Sequence, residues 1–207
     1  LKVSKGRIST HGILPLCPTL DTPGPMAHDG EDVALLYGAL QGRDPHDRST
    51  WGLPGGEAEG PAHPGVAGLR FGRLNDTELS GVAPEVLEAY HRSLAVLERA
   101  GATISIIEFP HSFAEVAILA RLISATEGYA LLGHLAEDPD LPIDADVRPR
   151  LLAGRDVRAS DYVQALHKRE AMQRETSALF STFDAVLTPT TETPALLLEE
   201  VDQTKTP

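Results

Sequence analysis

The 207-residue sequence has few lysines, a single cysteine and none of the familiar catalytic motifs. Its only lysines are Lys2, Lys5, Lys168 and Lys205: two at the N-terminal edge, one on a helix face and one in the tail. No serine stands three residues before a lysine, no G-x-S-x-G elbow occurs, and neither standard phosphate-binding glycine loop is present. The eight histidines form no H-E-x-x-H motif and no His/Cys cluster, which argues against a zinc site. His111 and His134 stand singly near helix ends and read as structural or solvated, because acid–base work needs an oriented partner. The single cysteine, Cys17, excludes an internal disulfide and is usual in a reducing compartment. It lies in an apolar run before Pro18 and reads as a small buried hydrophobe rather than a reactive thiol. No run approaches the roughly 18 consecutive apolar residues of a membrane helix, and no secretory pattern opens the chain. These absences set the expectations of a cytoplasmic location, no membrane, no metal and no cofactor.

What is present is acidic. Thirty Asp and Glu residues against 18 Lys and Arg give a net charge of −12, which repels phosphate backbones and argues against direct nucleic-acid binding. The acids Glu137, Asp138, Asp140, Asp144 and Asp146 lack the oxygen spacing and central glycine of a calcium loop and read as solvated. At 42% hydrophobic residues the chain can bury a substantial core.

Residues 7–16 read as a short strand pair or strand-and-loop around Gly12. Asp29 and Asp32 suit the cap and first turn of a helix over about 30–42, which Gly42 ends. Its apolar residues leave little polar face and predict burial on most sides. Residues 43–68, rich in proline and glycine, read as a surface loop. Leu69–Leu74 reads as a strand. Pro84 opens a helix in which Val86, Leu87, Tyr90, Leu94 and Leu97 recur at helical spacing and Gly101 is the stop. Thr103–Glu108 then reads as a buried strand. Strand–helix–strand with short joints predicts a right-handed crossover between parallel neighbours. A long apolar helix over 112–135, a short one over about 145–153 and an amphipathic one from Ala159 or Ser160 to about Phe183 follow. Asp184–Thr188 is a last strand, and Thr204–Pro207 reads as frayed or cut. The fold class is α/β: a mixed, largely parallel sheet flanked by helices.

Several segments, taken in order, resemble the amidase-signature family. Leu1, Lys2, Gly6, Arg7, Ile8 and Ser9, then Gly12, Ile13, Leu14 and Pro15, are similar to the stretch that follows that family's nucleophilic serine. Leu20, Asp21, Thr22, Gly24, Pro25 and Met26 resemble its L-D-T-x-G-P-M run. Glu31–Ala34 resembles its V-E-D-A helix, Gly42–Asp47 its G-x-D-P-x-D turn, and Leu69–Gly72 its L-R-I-G strand. Glu127 falls in a helix that often carries E-A. Asp146–Gly154 with Ala159, Asp161 and Tyr162 resembles V-R-x-R-L-x-x-G followed by A-x-D-Y, and Arg169 takes the family's helix arginine. Phe183–Pro194 resembles the Y-D-V-L-L-T-P-T run. The match covers about nine-tenths of the chain. Val3 replaces a family proline, and the glycine/serine-rich segment before these motifs and the N-x-x-G-x-P segment after them are not among the 207 residues.

The resemblance implies a carboxamide hydrolase or transferase using a nucleophilic serine, a second serine on a cis peptide and a lysine base. The serine attacks the amide carbon, backbone N–H groups hold the oxyanion, the amine leaves and water releases the acyl group. These three residues are expected upstream of Leu1, so no catalytic residue is assigned here, and the 207 residues are expected to be an inactive part of one amidase-like domain. Two segments are candidates to line the substrate pocket. Thr22, in the loop Asp21–Pro25, either faces substrate or belongs to a rigid packing turn. Arg150 either holds a substrate carboxylate by a bidentate pair or bridges to Asp146 one turn earlier.

Three readings stand. The first is a portion of an amidase acting on small amides, and the uncharacteristic 43–68 loop favours it. The second is the amidase-like subunit of a glutamyl/aspartyl-tRNA amidotransferase, with RNA contacts made by partner subunits. The third is a non-catalytic interaction module, which would need a self-sealed core. Expected partners are a small-molecule amide and either a second copy or the rest of the same enzyme.

Overall fold

The computed structural model describes residues 1–52 and 65–197. Residues 53–64 of the predicted 43–68 loop, and the 204–207 tail, lie outside the described residues. The chain divides into two compact units, Leu1–Pro64 with Ile123–Val157, and Gly65–Leu122 with Arg158–Pro207.

The second unit contains the sheet. Strands β1 (Arg70–Arg73), β2 (Thr103–Ile106) and β3 (Ala185–Leu187) are all parallel, in the order β2-β1-β3. Helix α2 (Pro84–Arg99) joins β1 to β2, as the sequence spacing predicts, with Pro84 in its first turn. Its end is a Schellman motif. Gly101 at φ +96° donates to the Glu98 carbonyl, and Ala102 donates to Leu97. Leu74, Leu79, Tyr90 and Leu94 form the core between α2 and the sheet, with Leu87, Ile104 and Leu187 packed on it. The Tyr90 hydroxyl accepts from the Leu74 amide at 3.3 Å and donates to the Leu187 carbonyl at 2.9 Å, so one side chain ties α2 to the ends of β1 and β3. Gly72 in β1 is needed for close packing: a Cβ there would lie 3.2 Å from Ile107 and 3.4 Å from Val186. The Asp184 carboxylate accepts from the Arg70 amide at 2.7 Å and fixes the start of β3 beside β1. The sequence predicts burial of β2. It is instead an edge strand, and Ile106 is 47% exposed because pairing occurs on one side only.

Helix α3 (Phe113–Ala136) contributes its first part to the second unit and its later part, from Ile123, to the first. Helix α5 (Ala159–Phe180), numbered after the short α4 (Val147–Leu152), belongs to the second unit. By length and composition alone α3 could cross a membrane. Its buried residues, however, include Glu127, Gly128 and Gly133, a set suited to close protein packing.

The first unit has helix α1 (Gly30–Leu40), α4 and the later part of α3. Asp29 caps α1, accepting from the Asp32 amide at 2.9 Å, as the sequence indicates. The expected burial of α1 does not hold. None of its residues is buried and Leu35 is 73% exposed, because the described residues cover only the side that carries Val33, Ala34 and Tyr37, which are half-buried. The expected strand pairing in residues 7–16 reduces to one antiparallel bridge, Ile8 with Gln41. The segment is held by carboxylates instead. Asp47 accepts from the Thr10 amide at 2.8 Å and its hydroxyl at 2.9 Å, and Asp44 accepts from the Ser9 hydroxyl at 2.6 Å. Each acid also accepts an amide two residues on within its own turn, His46 for Asp44 and Ser49 for Asp47. These hydrogen bonds, led by that from Thr10, hold the Asp47 carboxyl far below the usual carboxylate range.

Candidate functional site

The two candidate pocket residues, Thr22 and Arg150, both lie in the first unit, on segments that pack against one stretch of α3, whereas Arg169 and the Phe183–Pro194 run lie in the second. The loop from Leu16 to Pro25 is folded by its own acid. Asp21 accepts from the Leu16 amide at 3.0 Å and the Cys17 amide at 2.9 Å, while the Leu20 and Asp21 amides turn back to the Cys17 carbonyl. The Thr22 hydroxyl donates to the Leu20 carbonyl at 3.0 Å, which sets its rotamer, and the residue stays half-buried. Gly24 is needed for close approach, since a Cβ there would lie 2.0 Å from the Leu1 carbonyl oxygen. Cys17 is 3% exposed, and burial pushes its thiol pKa up, so it is the buried hydrophobe the sequence indicates.

Glu127 on α3 pins this loop. Its carboxylate accepts from the Thr19 amide at 2.8 Å and also from the Thr19 hydroxyl. The acid is only 8% exposed, and a buried carboxylate needs such donors to offset its lost hydration. The next residue, Gly128, is closely packed. A Cβ there would meet Leu151 of α4 at 3.3 Å and Leu16 of the loop at 3.5 Å. Gly154 is tighter still: its Cβ would fall 1.9 Å from the Ala125 carbonyl oxygen. The loop and α4 are therefore both seated on residues 125–128 of α3.

The two arginines of the V-R-P-R-L-L-A-G run divide their tasks. Arg148 donates to the carbonyls of Ala136, Asp138 and Leu141 at 2.6–2.7 Å and fastens the end of α3 to the following turn. Arg150 is exposed and, among the described residues, has no hydrogen bond or ion pair; the bridge to Asp146 is not formed. Behind the loop lies a cleft of about 280 Å³ lined by Lys5, Thr10, Asp21, Asp47 and Ser49 among others. It pairs no nucleophile with a base. Lys5 is hydrogen-bonded to the Pro18 carbonyl, and both acids are occupied with backbone amides. No cluster of three metal-ligating side chains occurs among the described residues.

Sequence reasoning did not find the anchoring role of Glu127, whose partner is 108 residues away, nor the double carboxylate clamp of Asp44 and Asp47. The first left only the E-A pattern in a helix. The second was signalled by the D-P-x-D spacing, which places two short acids at the ends of one turn.

The small parallel sheet flanked by helices defines an α/β protein. The family model described as Amidase matches residues 1–207, and the chain belongs to that family. A glutamyl-tRNA(Gln) amidotransferase subunit of Acidobacterium capsulatum is 32% identical over 94% of this chain and 46% of its own length. An amidase of Pseudomonas putida is 32% identical over 92% of this chain and 41% of its own. Among solved structures, one described as an amidase superposes with a TM-score of 0.78 at 26% identity, covering 95% of this chain and 41% of that one. The corresponding glutamyl-tRNA(Gln) amidotransferase subunit of Thermotoga maritima shares the fold with a TM-score of 0.77 at 24% identity, covering 97% of this chain and 44% of its own. The chain thus spans less than half the length of the relatives it matches.

Proposed function

We propose that these residues are part of a single amidase domain and form one wall of a carboxamide-cleaving site whose serine, cis-serine and lysine are supplied from outside residues 1–207, upstream of Leu1. The parent protein is then a cytoplasmic hydrolase of linear amide C–N bonds, needing no metal or cofactor and making no direct contact with nucleic acid. In this reading the loop around Thr22 borders the bound amide, and Arg150 receives a carboxylate on substrates that carry one. The observation that carries it is the unbroken family match over residues 1–207, combined with the anchoring of the Thr19–Pro25 loop on buried Glu127. The test is direct. The purified 207-residue chain is expected to release no ammonia from benzamide, hexanamide or glutamine. Serine-dependent turnover by this chain alone would overturn the reading.

A second reading, the amidase-like component of a tRNA amidotransferase, draws on the equal 32% identity to the two relatives and on the unpartnered Arg150. A guanidinium free to pair bidentately suits an amide donor that carries a carboxylate, such as glutamine. Arg150→Ala in the parent polypeptide separates the two. Loss of glutamine use with simple amides unaffected favours the transferase, whereas equal loss on both, or none, favours the amidase.

A further inference from the structure

The second unit contains a cavity of about 530 Å³. One wall is a stripe of α5: Arg169, Met172, Gln173, Thr176 and Phe180 recur at helical spacing and all face it. The opposite wall carries Phe113, Val116 and Leu119 from the first turns of α3, with Phe109 before it and Val186 from β3. The cavity is graded along its length. At one end the rings of Phe113 and Phe180 lie 5.5 Å and 6.4 Å from that of Phe109. At the other stands Arg169, about 16 Å away along the helix axis at 1.5 Å per residue.

Arg169 is half-buried and, among the described residues, has no hydrogen bond or ion pair. The nearby acids are directed elsewhere. Glu175 contacts His111 Nε2 at 2.7 Å, and Glu115 lies 3.9 Å from His111 Nδ1. A partly desolvated cation beside an apolar chamber is complementary to an anion that brings its own apolar body. One guanidinium neutralises one charge, so a monocarboxylate fits. A phosphate dianion would leave net negative charge close to Glu175 and Glu115.

We propose that this cavity binds an apolar monocarboxylate, with the carboxylate on Arg169 and the chain lying toward Phe109, Phe113 and Phe180. A body of about eight carbons suits a pocket in the usual range of small-ligand sites. The proposal does not depend on the amidase reading.

The experiment is an NMR titration of the 207-residue chain with octanoate, 1-octanol and octylammonium. Octanoate is expected to shift the amides of residues 113–119 and 169–180 saturably and to bind at least tenfold more tightly than octylammonium. Arg169→Gln is expected to weaken octanoate about tenfold while leaving 1-octanol unchanged, and Phe113→Ala to weaken both. Octylammonium binding as tightly as octanoate, octanoate shifts absent from these segments, or undiminished octanoate binding by folded Arg169→Gln would each overturn the proposal. The comparison of the three ligands on the unaltered chain decides the matter even if a variant fails to fold.

Discussion

Both units bury apolar side chains, Ile123 and Leu151 in the first and Leu74 and Leu94 in the second, but they differ in what ties their segments together. The second is a three-stranded parallel sheet with α2, α5 and the start of α3, and it buries Leu74, Leu79, Tyr90 and Leu94 in a core at that sheet. The first has little regular structure over residues 1–52, and side-chain carboxylates there take the place that strand pairing has elsewhere. Asp21, Asp44, Asp47 and Glu127 each accept at least two hydrogen bonds from loop residues. An apolar core tolerates volume-conserving exchange, whereas a loop pinned by charge-assisted bonds depends on particular atoms. That contrast bears on function, because the candidate site lies in the unit that depends on particular atoms.

The contrast can be broken at its strongest points first. Leu94→Ala, in the core of the second unit, is expected to cost about 3 kcal/mol in chemical denaturation, while Leu94→Met costs less than about 1.5 kcal/mol. Gly154→Ala is expected to cost about 2–3 kcal/mol, because its Cβ would meet backbone rather than a movable side chain. Hydrogen exchange should place that loss in residues 125–154 and spare β1 and β2. An equal loss of protection in the sheet would contradict the division.

Glu127→Gln is a finer probe. It keeps the shape, removes the charge and turns one acceptor into a donor facing Thr19. A cost of about 1–2 kcal/mol is expected, with faster exchange at the Thr19 amide and little change in α2. The smallest effect is the acid response of Asp47. Its folded pKa lies below the unfolded carboxylate value of about 3.9, so its contribution is complete at neutral pH. It is lost as the pH falls below about 4 toward the folded pKa. With solvent screening, the loss is roughly 1 kcal/mol. Asp47→Asn should remove that part of the acid sensitivity, as read from urea midpoints between about pH 5 and pH 2.5.

The second unit was the more legible in the sequence. Pro84, the i, i+3, i+4 recurrence through Leu97 and the stop at Gly101 are local signals, and they place α2 to within two residues. The parallel pairing of β1 with β2 follows from the short joints on either side of that helix. What the sequence did not disclose depends on distant partners. Arg148 and Arg150 are two residues apart with the same chemistry, yet one donates to three carbonyls and the other has no hydrogen bond or ion pair among the described residues. Glu127 meets Thr19 across 108 residues, which no periodicity announces. The apolar sequence of α1 signals burial, but Leu35, Leu36 and Leu40 remain exposed because hydrophobic pattern records what a helix prefers and not what covers it.

The central claim is that the framework around Thr22, Glu127 and Arg150 borders an acyl-transfer site without providing its nucleophile. Intact-mass spectrometry of the 207-residue chain after exposure to a fluorophosphonate tests it most directly. The account expects an unmodified mass after prolonged incubation. A stoichiometric adduct mapped to any serine between Leu1 and Pro207, formed only by the folded chain, would contradict it.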